Sequence, residues 1–301
     1  SIRRRQRQMC IRDRKKILED LIASDGDYIT TQKHRDSKEN PPLNFDLTTL
    51  QREANSTWSW TSRRTLSVAQ ELYDTHKLTT YPRTDSRHLP EDMMESIGKT
   101  IKQLGAQEFL SAHSERLTKN GLKNVSRNFD NAKVSDHYAI IPTGKLPQSN
   151  LSNDAQRLYE LICRQFLASF HSEAIWDVQT RTTSKSDHDF IKEVRILKIP
   201  GWREVKPKSN SIPEKWNNLS SNPANTELIS HKFKEEFTKP TNRLKEAKLL
   251  SLMENAGRSI DDDEMADAMK GKGLGTPATR AETIEKLISV SYTHLTLPTT
   301  D

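Results

Sequence analysis

The sequence predicts an α+β chain of more than one domain, with two helical regions separated by a β-rich one. Three observations carry this. Apolar residues recur at helical spacing over 62–75 and again over 153–170. β-Branched and aromatic residues crowd 176–183 and 190–199. From Ala247 onward the pattern is helical once more. At 301 residues there is room for two domains, or for part of a larger multidomain protein. No internal repeat is present.

Taken in order, 15–24 reads as a short helix, and 27–33 as a strand that decays into a charged loop. Pro41 and Pro42 impose an extended entry to 43–46, and 48–55 resumes helical character. Ser62 caps a clearer helix over 62–75, with Leu66, Ala69, Gln70, Leu72 and Tyr73 on its stripe. Leu78–Tyr81 is short, β-branched and strand-like. Pro90, followed by Glu91 and Asp92, starts a helix carrying Met93, Ile97, Ile101 and Leu104 on one face. Small helices with tight turns and short extended pieces suit a helix-turn-helix or winged-helix (CAP-like) module. The stretch 206–225 is rich in Pro, Ser, Asn and Lys and reads as an exposed excursion. The helical tail is interrupted by the acidic run Asp261, Asp262, Asp263 and Glu264, which reads as a solvated helix beginning and not as a metal site.

With 33% hydrophobic residues and a mean hydropathy of −0.82, the chain is polar. No apolar run approaches the ~20 residues of a membrane span. Cys10 and Cys163 lack metal-ligand spacing, so a reduced, cytoplasmic setting is expected. The net charge of +6 is weak support for nucleic-acid binding, because the first 14 residues contribute +5 of it. Residues 1–14 and 290–301 resemble translated adapter read-through and are set aside, although 1–14 could also be read as a basic arm.

One motif dominates: Leu78-Thr79-Thr80-Tyr81-Pro82-Arg83-Thr84-Asp85-Ser86-Arg87-His88. A phenol titrates near ~10 and is a poor nucleophile at neutral pH unless a cation or proton acceptor steadies its oxyanion. Tyrosine and arginine side by side suit attack on a phosphodiester, the guanidinium fork holding the phosphate. In an extended stretch, residues two apart share a face. The segment resembles the active-site stretch of type IA DNA topoisomerases, most closely the bacterial topoisomerase III branch. Three further segments resemble that family in the same order: Asp46–Ala54, Ser135–Thr143 and Gly273–Ala281.

The resemblance implies that Tyr81 is the nucleophile, giving a 5′-phosphotyrosyl link and a free 3′-hydroxyl on single-stranded DNA without a nucleotide cofactor. It implies Arg83 as phosphate and oxyanion stabiliser, His137 as a phosphate contact and Thr143 as a weaker one. Tyr138 stands where the family often has a second histidine, which touches only an auxiliary contact. Gly275, Thr276, Pro277, Thr279 and Arg280 form a capped helix start, and Lys272 adds charge. Free amides and the positive dipole end there suit a DNA phosphate. Lys77 and Arg87 are candidate backbone contacts. Trp58 and Trp60 could stack on bases, but core packing is the expectation.

The same resemblance implies Mg²⁺ in a full-length enzyme, held by an acidic N-terminal domain that no segment here resembles. This chain then reads as an internal fragment that binds no metal itself, a monomer acting on the nucleoid with no membrane contact. The expected domains are 15–57 (arch strands and entry), 58–150 (winged-helix-like, bearing Tyr81), 151–235 (connecting helix and β-rich arch) and 236–289 (helical, strand-binding). Two readings stay open beside it. In one, a non-catalytic helix-turn-helix DNA-binding protein has a structural Tyr81. In the other, a tyrosine recombinase also pairs tyrosine with arginine, though its tyrosine comes late in the chain and here it comes early.

Overall fold

The computed structural model describes residues 16, 17, 19, 20, 22, 23, 26–147, 151–186, 188–206, 216, 219–230, 237, 239–259 and 273–290. Those described between 16 and 23 are helical. Residues 1–14 and 291–301, the acidic run at 261–264 and Lys272 lie outside the described residues. The chain divides into two compact units, one drawn from residues 1–39, 174–200 and 209–241, the other from 40–173, 201–208 and 242–301.

The first unit holds an antiparallel sheet of order β3-β2-β1-β4, built from β1 (Tyr28–Glu39), β2 (Ala174–Lys185), β3 (His188–Ile199) and β4 (Ala224–Thr226). β1 pairs with β2 from Ile29↔Ser184 to Glu39↔Ala174. The strand therefore does not decay at Lys33 but runs on through the charged stretch. The reason lies in its partners, because several of its polar side chains find one across the ladder. Arg35 meets Glu193 at 3.4 Å, Asp36 meets Lys198 at 3.0 Å, and Glu39 accepts from Trp176 Nε1 at 2.8 Å. On the other edge the Asn222 side chain pairs with the Gln32 backbone, accepting from its N–H at 3.0 Å and donating to its carbonyl at 2.8 Å. Thr30 Oγ1 lies 2.7 Å from Thr183 Oγ1 and 2.9 Å from Thr226 Oγ1, joining three strands through hydroxyls.

The second unit is helical: α1 (Leu47–Trp58), α2 (Ser62–Asp74), α3 (Met94–Leu104), α4 (Glu108–Asn120), α5 (Val125–Asn128), α6 (Asn153–Ser169), α7 (Glu246–Glu254) and α8 (Pro277–Ser289). Most of the apolar periodic residues are buried. Leu47, Leu50, Leu72, Ile97, Ile101, Leu104, Leu158 and Phe166 are essentially inaccessible, each worth about 1.5–3 kcal/mol of transfer free energy. α2 packs on α1, α6 and α8, and α3 on α4. α2 starts at Ser62 as the sequence suggested, but its cap is one residue earlier, because Thr61 and not Ser62 accepts from the Arg64 amide. Asp46 caps α1 through Thr49, whose N–H donates to its carboxyl at 2.6 Å. Pro90 precedes a short 3₁₀ turn (Glu91–Met93) ahead of α3. Trp60 is core, with Trp58 tilted against it at 4.8 Å between ring centroids.

Candidate active site

Leu78–Tyr81 makes no regular sheet. It lies extended against 139–143 through one isolated bridge, Thr79↔Pro142. The clasp is a set of hydrogen bonds, with the Thr80 amide donating to Ile141 O at 3.0 Å and the Thr143 amide to Leu78 O at 2.9 Å. Thr80 Oγ1 donates to Ala139 O and accepts from the Ile141 amide, both at 2.9 Å. Farther along, Thr84 Oγ1 donates to His137 O at 2.9 Å, and the Ala139 amide donates to His88 O at 3.0 Å. Thr84 thus shapes the turn, as does Ser86, whose Oγ donates to Lys133 O at 2.7 Å.

Burial alternates along this stretch. Pro82, Thr84 and Ser86 are buried, whereas Tyr81 is half-buried and Arg83 and Asp85 are exposed. The period of two puts the phenol and the guanidinium on one outward face. The clasp brings His137 to Tyr81, with ring centroids 4.4 Å apart and planes at 50°. On the other side Tyr73 of α2 meets the Tyr81 ring edge-on at 5.4 Å, and Lys77 Nζ lies 5.3 Å above the Tyr73 ring. Tyr138 is half-buried, and that burial, with the Tyr73 phenol beside it, pushes its own titration up. Asp85 accepts from Ser135 Oγ at 2.7 Å, while Arg83 is met by Gln70 of α2. With its amide oxygen turned to the guanidinium, Gln70 accepts from Nη2 at 3.1 Å and Nε at 3.2 Å.

The 81–85 stretch borders two clefts. One, of about 630 Å³, is lined by Arg63 and Gln70 of α2, Arg83, and Ala281, Glu282 and Lys286 of α8. The other, of about 510 Å³, is lined by Asp46, Asp85, Glu254, Gly275, Thr276 and Arg280. Thr276 caps α8 and Pro277 opens it; the Thr276 amide donates to Thr279 Oγ1 at 3.0 Å. Gly273 has φ +63°, and a Cβ there would lie 2.6 Å from Met253 O. Its close approach is therefore to the end of α7, against which the Leu274 amide donates at 2.7 Å.

Of the residues singled out from the sequence, Tyr81, Arg83, His137, Lys77 and Thr143 gather around the clasp. The Thr143 hydroxyl donates to Lys77 O at 2.8 Å and is used in closing it. Gly275, Thr276 and Thr279 lie at the start of α8. Two arginines turn inward instead of facing solvent. Arg280 is 4% exposed, with Nε donating to Leu274 O at 3.1 Å and Nη1 to Thr48 Oγ1 at 3.0 Å. Arg87 donates to Asn44 O at 3.1 Å, and burial, opposed by Asp46 and Glu254, lowers its pKa. Burial likewise raises the Asp46 pKa, against the pull of the Thr49 hydrogen bonds and Arg87. Gln70 and Tyr73 entered the sequence reading only as members of a helical stripe. Both are half-buried, and that polar edge of the stripe is the signal that marks them.

Residues 3–300 match the family model for DNA topoisomerase. The DNA topoisomerase 3 of Bacillus cereus is 32% identical over 289 residues, covering 91% of this chain and 39% of that protein. The DNA topoisomerase 3 of Staphylococcus epidermidis is 32% identical over 305 residues, covering 95% and 41%. Full-length topoisomerase I from Thermotoga maritima shares the fold, with a TM-score of 0.60 at 22% identity, over 91% of this chain and 42% of that one. The chain thus spans about two fifths of the length of these relatives.

Proposed function

The chain belongs to the DNA topoisomerase family, and from that premise we propose that it carries the strand-cleaving tyrosine of a type IA enzyme. The Tyr81 oxygen, its proton lost, bonds to the phosphorus of a single-stranded phosphodiester. The bond from phosphorus to the 3′-oxygen breaks, and that oxygen leaves as a hydroxyl after taking up a proton. A 5′-phosphotyrosyl link holds the strand, and reversal reseals it, so relaxation or decatenation needs no nucleotide. Arg83 and His137 hold the phosphate and its developing charge; Lys77 and the start of α8 engage neighbouring phosphates.

One observation carries the reading: two segments far apart in sequence meet with the His137 imidazole against the Tyr81 ring at 4.4 Å, and Arg83 shares the outward face. A merely structural tyrosine would have no need of an exposed histidine and arginine beside it. Magnesium, in this proposal, belongs to carboxylates outside the chain. Action on the nucleoid as a monomer follows from the same reading.

The test is a chimaera in which this chain replaces the matching part of Bacillus cereus DNA topoisomerase 3, assayed for covalent adducts on a labelled single-stranded oligonucleotide. Adducts with Tyr81 and none with Tyr81→Phe, strand binding being retained, are expected. Adducts in neither version would favour the non-catalytic DNA-binding alternative, and unchanged adducts with Tyr81→Phe would show that Tyr81 is structural and not the nucleophile. The chain by itself is expected to bind single strands weakly, with steep salt dependence, and not to relax plasmid DNA.

A further inference from the structure

We infer that Gln70 is a positioning residue that holds the Arg83 guanidinium at the Tyr81 face, charged and unneutralised. The inference rests on the reading of Tyr81 as the nucleophile. Arg83 is exposed on a loop, and a long side chain there would ordinarily sample many rotamers. Gln70 removes that freedom by accepting from Nη2 and Nε together, at 3.1 and 3.2 Å. A guanidinium has five N–H donors in a fixed fork. The amide oxygen engages the edge shared by Nε and Nη2, which leaves Nη1 and the remaining Nη2 hydrogen for a phosphate.

The chemistry of the holder matters as much as its position. Glu282 and Glu285 line the same 630 Å³ cleft as Arg83, and Arg83 adds to the pull of Lys286 that lowers the Glu282 pKa. Released from Gln70, the guanidinium has Glu285 to turn toward and Glu282 to contest with Lys286, which pairs with it at 2.9 Å, and an ion pair with either would neutralise its charge away from the strand. A neutral amide fixes the fork without that loss, which a glutamate at 70 would not. Gln70 and Tyr73 are three residues apart on α2, one turn of one face. The helix therefore fixes both members of the pair, Tyr73 packing on Tyr81 and Gln70 gripping Arg83.

Two measurements test this. In the 301-residue chain, ¹⁵N NMR follows the Arg83 Nε–H signal, assigned by its disappearance in Arg83→Lys. The signal is expected to be protected from solvent exchange, and to lose that protection in Gln70→Leu. In the chimaera, Gln70→Leu is expected to slow single-turnover adduct formation roughly ten- to a hundredfold at saturating strand. In an Arg83→Lys background the same substitution is expected to change the rate by less than about twofold, because its effect runs through the fork. Equal losses in both backgrounds, or an unprotected Nε–H in the parent chain, would overturn the inference. Adducts that survive Tyr81→Phe would overturn the nucleophile reading instead, and the Nε–H signal would still decide whether Gln70 holds Arg83.

Discussion

The two units are held together by different chemistry. The helical unit buries a set of large side chains, among them Leu72, Ile97, Leu104, Phe166 and Phe170, all at or below 1% exposure. The sheet unit has few such residues: Ala174, Val178, Val194 and Ala224 are buried, but so are Thr30, Gln32 and Lys185. Polar ladders do much of the work there. One runs from Gln179 to Asp177 at 2.7 Å, on to His34 at 3.2 Å and to Gln32 at 2.8 Å, where Arg181 donates at 2.7 Å. The lesson is that the proposed chemistry sits on the apolar unit, where a packed core can hold a half-buried phenol and an exposed imidazole and guanidinium in register.

The largest effect expected from this difference is in the core. Phe166→Ala should cost the helical unit about 3–5 kcal/mol, seen as lost amide-exchange protection across α2 and α6. If exchange in that unit were unchanged, the assignment of its stability to packing would fail. Acid comes next. Burial holds the His171 imidazole neutral and lowers its pKa to about 4, with His113 and Arg116 adding to the shift. Between about pH 6.5 and 4 the unfolded chain therefore binds a proton that the native one refuses. Stability should fall with falling pH across that window, by up to about 3 kcal/mol. His171→Gln should flatten this slope, and a slope of opposite sign would contradict the burial argument. The Asp177 carboxyl of the sheet is also lowered, but by a different cause, first the Gln179 hydrogen bond. Its contribution should persist through this window and fade only below the usual carboxylate range.

Smaller effects sharpen the sheet side. Thr30→Val removes the hydroxyl joining Thr183 and Thr226 and should cost about 1 kcal/mol, read as faster exchange in β1 and β4. Asp36→Asn breaks the exposed pair with Lys198 and should cost a few tenths of a kcal/mol at most, less in high salt. A loss above that of Thr30→Val would mean that surface charge, not the buried hydroxyl chain, dominates the ladder.

Much of this was legible in the sequence wherever a period survived. The stripes of α2 and α6, the strands β2 and β3, and the Thr276–Pro277 start of α8 were all readable. The full length of β1 was not, because its later half is polar on both faces and only the partner strands give those charges a reason to extend. Nor could spacing bring His137 to Tyr81. That meeting is made by backbone bonds between two irregular segments, which leave no periodic trace. Arg280 illustrates the opposite difficulty, since a guanidinium at a helix start reads as a phosphate ligand until Thr48 and Leu274 O are seen to use it.

The central claim concerns one oxygen atom, and it can be read directly. The covalent complex formed by the chimaera on a single-stranded oligonucleotide can be digested with nuclease and protease, and the modified peptide sequenced by mass spectrometry. The account predicts a nucleotide joined through its 5′-phosphate to Tyr81; a phosphate on any other side chain, or on none, would contradict it.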